Sequence, residues 1–405
     1  MTDEIRATVE KVRPVWDRIQ TRAWLLQRKV LRLMGEEGIG ESDFAPSTGY
    51  GYADRGRGKL DRLYARFFGT AKALVRPQIV SGTHSIALGL LGLDLHDGDE
   101  ILLATGEPYE SLRGILNGAP GSLAERGVRA VTVALNQAGK PDLPTLAAAL
   151  SPRTRVVFIQ RSRGYNWRPA LTVAEIGETI AYLRRQRAGL VVVVDNCYGE
   201  MVEDEEPSHV GADLVAGSLI KNPGGGIVPC GGYLAGAEEL VDRAAARLTA
   251  PGLGGEVGAN PLSWRLFFQG FFLAPHVVAE ALQGAVFAAG FLADLGLETS
   301  PGWDEARGDI VQAVRVGTRD KLLAFCRAIQ EASPVDAHVR PVAGDVPGYR
   351  VPVVMAAGTF VQGGSLELSA DAPLGEPYTV YLQGGLTKEH TMAAVLHAAG
   401  RLAAE

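Results

Sequence analysis

An α/β fold, with a mostly parallel sheet in a large domain and a smaller C-terminal α+β domain, is what this chain of 405 residues predicts. Three observations carry the prediction. Continuous aliphatic runs such as "RVVFIQ" (155–160) and "LVVVVDN" (190–196) stand between helical stretches, the pattern of parallel strands buried on both faces. From about residue 60 helix and strand patterns alternate, which is the texture of an α/β sheet. Beyond about residue 265 that texture gives way to one long apolar helix followed by short strands.

The elements follow in chain order. Residues 1–35 carry apolar positions at helical spacing through "VWDRIQTRAWLLQRKVLRLM" and predict a helix. A loop rich in glycine and aromatic residues follows at 43–59, "DFAPSTGYGYADRGRGK". "KLDRLYARFFG" is helical, and "SGTHSIALGLLGL" opens on small residues before becoming an apolar helix. Strands are predicted over 99–106, 128–135, 155–160, 190–196 and 212–219, separated by helices such as "TVAEIGETIAYLRRQRAG". The apolar helix at 273–297 leads out of the first domain. After it come a helix, "DKLLAFCRAIQEASP", three antiparallel strands in "YRVPVVMAAGTF", "SLELSA" and "YTVYLQGG", and a closing helix, "EHTMAAVLHAAGRLAA". The chain thus divides into an N-terminal helical segment (1–45), a large α/β domain (46–275) and a small α+β domain (276–405).

Composition narrows the function. Lys plus Arg total 40 against 46 Asp plus Glu, and neither sign gathers in blocks, which argues against a nucleic-acid partner. The acidic run Glu203–Glu206 reads as a solvated loop, and no metal site is expected. Three cysteines without zinc-type spacing suit a reducing compartment. No signal-peptide segment and no run of about 18 apolar residues stands out, so the expectation is a cytoplasmic protein without a membrane span.

Three features fall where an open α/β sheet binds ligands, beyond the carboxyl ends of its strands. "SGTHS" (81–85) opens a helix, so the N–H groups of Gly82 and Thr83 can meet an anion; plain capping by Ser81 or Thr83 is the alternative. Asp195 ends a buried strand, where a carboxylate needs a cationic or hydrogen-bonding partner. Lys221 follows the next strand, preceded by Ser218, in apolar, glycine-rich surroundings that predict a depressed pKa and a nucleophilic amine. Together they match one cofactor: backbone N–H groups for a phosphate, an acid for a pyridinium, and a lysine for a Schiff base with an aldehyde. That cofactor is pyridoxal 5′-phosphate.

The residues also carry a resemblance. "STGYGYADRGR", "ALVRPQIVSGTHSIAL", "GEPYESL", "QRSRGYNWRP", "VVVDNCYGE", "GADLVAGSLIKNPGGG", "GTFVQGGSLELSAD" and "PYTVYLQGG" together resemble the methionine γ-lyase-like family, also called aluminium resistance proteins. This family belongs to the cystathionine and methionine γ-lyase group of fold-type-I enzymes that use pyridoxal phosphate. The resemblance implies that Lys221 forms the Schiff base, that Asp195 pairs with the ring nitrogen, and that Ser218, Gly82 and Thr83 hold the phosphate. Tyr109 would stack on the ring and protonate a leaving thiolate; an ordinary packed aromatic is its alternative. Tyr52 and Arg55 would reach the phosphate of a neighbouring subunit, which implies a homodimer or homotetramer. Arg168 would lie near the ring hydroxyl, with Arg163 its rival there or the ligand of the substrate carboxylate. His84 and Cys197 read as structural. Family members often carry an arginine after "ELSAD", where this chain has Leu374 and Gly375, so the residue that binds the substrate carboxylate stays open.

The activity implied is carbon–sulfur lysis of a sulfur amino acid, with α,γ-elimination to a 2-oxo acid, a thiol and ammonia. β-Elimination, γ-replacement, and a cofactor-binding protein without turnover are the alternatives. A nicotinamide oxidoreductase is disfavoured because no G-x-G-x-x-G follows the first predicted strand.

Overall fold

The computed structural model describes residues 3–345 and 351–403. Residues 1–2 of the expected first helix, 349–350 of an expected strand and 404 of the closing helix lie outside the described residues. The first helix, α1 (Asp3–Glu36), buries Thr8, Val12, Ile19, Ala23, Leu26, Val30 and Leu33, one stripe at steps of three, four and seven. That stripe lies along a later helix, α8 (Arg265–Asp294).

The larger sheet has seven strands: β1 (Lys72–Arg76), β2 (Glu100–Leu103), β3 (Arg129–Thr132), β4 (Thr154–Gln160), β5 (Val191–Asp195), β6 (Leu214–Ser218) and β7 (Gly232–Gly236). Their order is β1-β7-β6-β5-β4-β2-β3, with β7 antiparallel to both neighbours and β2 to β6 parallel where they pair. α2 (Arg55–Phe68) leads into the sheet, α3 (Gly82–Gly92), α4 (Glu110–Leu116), α5 (Leu143–Ala149) and α6 (Val173–Gln186) run between its strands, and α7 (Glu238–Leu248) follows β7. Both faces of the sheet are covered. Val192 and Val194 join a cluster with α1, α6 and α8, whereas Val193 joins Phe158 and side chains of α3 and α7. This two-sided burial is why β5 is four consecutive valines before Asp195 rather than an alternating strand.

The smaller sheet is antiparallel, with β8 (Glu298–Ser300), β9 (Val311–Arg315), β10 (Ala343–Gly344), β11 (Val353–Ala356), β12 (Ser369–Pro373) and β13 (Thr379–Gln383) in the order β10-β11-β12-β13-β9-β8. Helices α9 (Arg319–Glu331) and α10 (Lys388–Leu402) pack on it, together with Phe287, Phe291 and Leu292 from the end of α8.

Several expectations need correction. Strands β1, β7, β8, β9 and β10 were not foreseen; β7, "GYLAG", has no β-branched residue. Its Gly232 leaves room for α3, since a Cβ there would stand 2.2 Å from Ser85 Oγ. Only the end of "SLELSA" is strand, because β12 starts at Ser369. The helix expected at 273–297 runs instead over Arg265–Asp294, and the boundary expected between residues 275 and 276 lies within it. That helix is long and apolar enough to cross a membrane, but its most apolar window is 89% buried within the protein. Nor is the run 203–206 wholly solvated. Arg161 donates to Glu203 Oε2 at 2.7 Å, and buried Glu206 accepts from Asn196 and from the Met201 N–H.

Candidate active site

A cavity of about 420 Å³ opens beyond the carboxyl ends of β4, β5 and β6, and residues near the smaller sheet close its other side. Parallel pairing sets Gln160 opposite Asp195 and Asp195 opposite Ala216, so the ends of three strands meet there. The cavity is lined by Gly82, Thr83, Tyr109, Gln160, Asp195, Ser218 and Lys221, and it gathers six of the predicted site residues. Ser81 caps α3, its Oγ accepting the His84 N–H at 3.0 Å. The N–H groups of Gly82 and Thr83 are the first of that helix and lie outside its internal ladder, so they face the cavity as donors. Thr83 Oγ1 lies 3.0 Å from Ser111 Oγ. Tyr109 immediately precedes α4, and its N–H donates weakly to Gln160 Oε1 at 3.4 Å.

The loop after β6 explains the glycines around the lysine. A Cβ on Gly224 would stand 1.8 Å from the Leu219 carbonyl oxygen, so only glycine lets "KNPGGG" turn back on itself. The same loop lies against α8, where a Cβ on Gly225 would meet the Gly270 carbonyl at 2.3 Å. Lys221 is therefore held from below by tight backbone packing.

Lys221 Nζ stands 3.7 Å from the centroid of the Tyr198 ring. Burial disfavours the ammonium, yet Cys197, Tyr198, Asp195 and Glu200 outweigh burial and hold its pKa above the ordinary lysine value. The depressed pKa expected from apolar surroundings is thus corrected: the sequence shows the glycines but not the acids that converge from the β5 loop. Burial also lifts the Asp195 carboxyl above the usual range, opposed by Lys221 and by the Cys197 N–H, which donates to Oδ1 at 3.0 Å. Tyr198 adopts φ +67°, a left-handed conformation that costs a bulky residue about 1–3 kcal/mol.

These residues fit pyridoxal phosphate on geometry of their own. Gly82 forms a cradle that a Cβ would close, because that atom would stand 2.8 Å from Cys197 Sγ and 3.5 Å from Ser218 Cβ. Beside that cradle are a helix start and a hydroxyl for a phosphate, a buried carboxylate for a pyridinium and a single lysine for an aldehyde.

Four predicted residues do not line the cavity. Tyr52 is exposed and stacks on Tyr50, ring centroids 5.5 Å apart, and exposed Arg55 reaches Asp43 Oδ1 at 3.4 Å. Neither touches the cavity of its own chain. Arg163 is fully buried and donates to the Ser300 carbonyl at 2.8 Å and to Ser300 Oγ at 3.0 Å. Arg168 donates to the carbonyls of Gln160, Ser162 and Pro169. Burial, partly offset by Asp309, lowers its pKa to about 10. Two arginines straddling "GYNW" resemble an anion site in sequence, but neither lines the cavity, and these donors go to protein oxygens.

Residues the sequence did not single out include Gln160, Tyr198 and a group from the smaller sheet. Asp371 Oδ2 accepts from Tyr165 Oη at 2.8 Å and from Gln383 Nε2 at 3.1 Å, and burial lifts this carboxyl to about 6. The stretches quoted for the resemblance contain these residues, but only the fold brings them together from separate elements.

The chain matches the model for methionine gamma-lyase over residues 1–403. It is 49% identical over 378 residues to the uncharacterized protein YnbB of Bacillus subtilis (strain 168), covering 92% of this chain and 90% of that protein. The crystal structure of a Listeria monocytogenes protein, named there as a candidate cystathionine beta-lyase involved in aluminum resistance, superposes with a TM-score of 0.96 and 47% identity, covering 99% of this chain and 100% of that one. At 18% identity and a TM-score of 0.64, the pyridoxal-5′-phosphate-dependent protein YhfS of Escherichia coli shares the fold over 95% of this chain and 96% of its own. The chain therefore belongs to the methionine gamma-lyase family, with the fold-type-I architecture and pyridoxal 5′-phosphate as its cofactor.

Proposed function

We propose that this protein is a carbon–sulfur lyase that takes a sulfur amino acid through α,γ-elimination to a 2-oxo acid, a thiol and ammonia. The convergence of Lys221, Asp195, Ser218, Tyr109 and the start of α3 on one cavity carries the reading. Pyridoxal phosphate, when bound, supplies an aldehyde for amines and a ring that withdraws electrons from the substrate α-carbon. Lys221 Nζ would hold that aldehyde between turnovers and, once freed, carry the α-proton. Asp195 would keep a proton on the ring nitrogen, and the N–H groups of Gly82 and Thr83 with the Ser218 hydroxyl would bind the phosphate. Tyr109 Oη would deliver a proton to the departing sulfur.

The same residues would serve β-elimination, and the name of the Listeria structure favours that second reading. Incubating the cofactor-loaded protein with L-methionine and identifying the keto acid by mass spectrometry separates the two. Formation of 2-oxobutyrate supports γ-elimination. Pyruvate from L-cystathionine without 2-oxobutyrate from either compound overturns it for β-elimination, and no keto acid from any thioether overturns both.

The working form would be a cytoplasmic homo-oligomer, a dimer or a tetramer, in which Tyr52 and Arg55 complete the partner's phosphate site. Their exposure and their absence from their own cavity support this.

A further inference from the structure

Asp371 has no task in the chemistry described for Lys221 and Asp195. It lies on β12, opposite Met355 on one side and Tyr381 on the other, is 4% exposed and lines the cavity. Tyr165 and Gln383 both donate to Oδ2, which fixes the carboxylate plane. The other oxygen, Oδ1, is buried without a hydrogen-bond partner. A buried acceptor left so costs on the order of 1–3 kcal/mol, and more when charged, so it calls for a donor from outside the chain. The only cation among the described lining residues is Lys221, which the cofactor engages. Val311, Met355 and Tyr381 line the cavity too, offering apolar surface to an aliphatic stem. Methionine, with an apolar side chain, would leave Oδ1 unmet. A thioether whose departing half carries an ammonium would satisfy it.

We infer that Asp371 is a specificity-determining residue that receives a protonated amine on the leaving half of the substrate, so that the preferred substrates are thioether amino acids with a second, distal ammonium. The inference rests on the carbon–sulfur lyase reading for its substrate class, while the contact itself does not require turnover.

The test compares S-(2-aminoethyl)-L-homocysteine with S-propyl-L-homocysteine, which match in length and differ by an ammonium in place of a methyl group. Wild-type kcat/KM is expected to favour the cationic compound by about 10- to 100-fold, as a buried charge pair would. Asp371→Asn should bring that ratio to about one in protein that keeps its visible cofactor band. L-Ornithine and L-norleucine, which have no carbon–sulfur bond, give a binding readout through the shift of that band, with ornithine expected to bind about tenfold more tightly in the wild type. A wild-type preference near one in both pairs overturns the inference and needs no variant to fold. A preference that survives in D371N overturns it too. Tighter ornithine binding that D371N abolishes, without turnover of either thioether, sustains the contact and overturns the α,γ-elimination reading, since both compounds carry their sulfur on the γ carbon. Turnover of both thioethers at equal efficiency does the reverse.

Discussion

Lys221 Nζ sits 3.7 Å above the centre of the Tyr198 ring, and Tyr198 holds that position in a left-handed backbone conformation at φ +67°. The ring thus supports the lysine alongside the acids around it. A cation–π contact of this kind contributes about 0.5–2 kcal/mol. Tyr198→Leu should lower kcat/KM by about 3- to 30-fold, whereas Tyr198→Phe, which keeps the ring, should stay within about threefold of wild type. Steady-state kinetics on the pair checks this, and equal losses would mean that the hydroxyl rather than the ring matters.

Lys221 should be the point of covalent attachment of the cofactor. Borohydride reduction of the loaded protein, followed by peptide mass spectrometry, should find the pyridoxyl mass on the peptide containing Lys221, and Lys221→Ala should lose both that label and turnover. A label elsewhere would refute the assignment.

Asp195→Asn should reduce turnover by about 10²–10⁴-fold, the range for removing a positioned proton-holding group. The cofactor should still attach to Lys221 in this variant, so its absorption spectrum separates a chemical defect from a loss of binding.

If Tyr52 and Arg55 serve the neighbouring subunit, two dead variants should rescue one another. Lys221→Ala and Arg55→Ala, unfolded together and refolded as a mixture, should regain about a quarter of wild-type activity. In a random dimer half of the molecules are mixed, and each mixed dimer holds one intact site. No recovery from two variants that each refold alone would place Arg55 outside the site.

Stability should depend on Glu200. Burial, aided by the negative charge of Glu206, raises this carboxyl from 4.5 to about 8. The folded state therefore holds the proton to higher pH than the unfolded chain does. Stability from this group is complete below about pH 4.5 and falls as pH rises to about 8. Glu200→Gln cannot ionise, so it should match wild type in acid and melt about 2–5 °C higher at pH 9. Thermal melts across that range check both the sign and the window.

Much of this was legible because local chemistry and tertiary role coincided. β4, β5 and β6 announce themselves as largely apolar runs because both faces of their sheet are covered, and Asp195 at the end of β5 and Lys221 just past β6 stand out as polar breaks. β7 was illegible because its glycines answer to the approach of α3 rather than to strand preference. The placement of Arg163 and Arg168 outside the cavity lining was not legible, because nothing local tells a guanidinium that faces a cavity from one that binds carbonyls folded in from elsewhere. Asp371 escaped for the converse reason, since its partners Tyr165 and Gln383 lie 206 and 12 residues away along the chain.

The packing of Gly225 against Gly270 has a mechanical consequence. Helix α8 bears the lysine loop near its start and contributes Phe287, Phe291 and Leu292 to the smaller sheet's core near its end. It acts as a shaft shared by two bearings. A rotation of the smaller sheet on meeting a substrate would be transmitted along a continuous helix to the backbone beneath Lys221, and bulk added at Gly270 would disconnect the two by prising the loop from its seat.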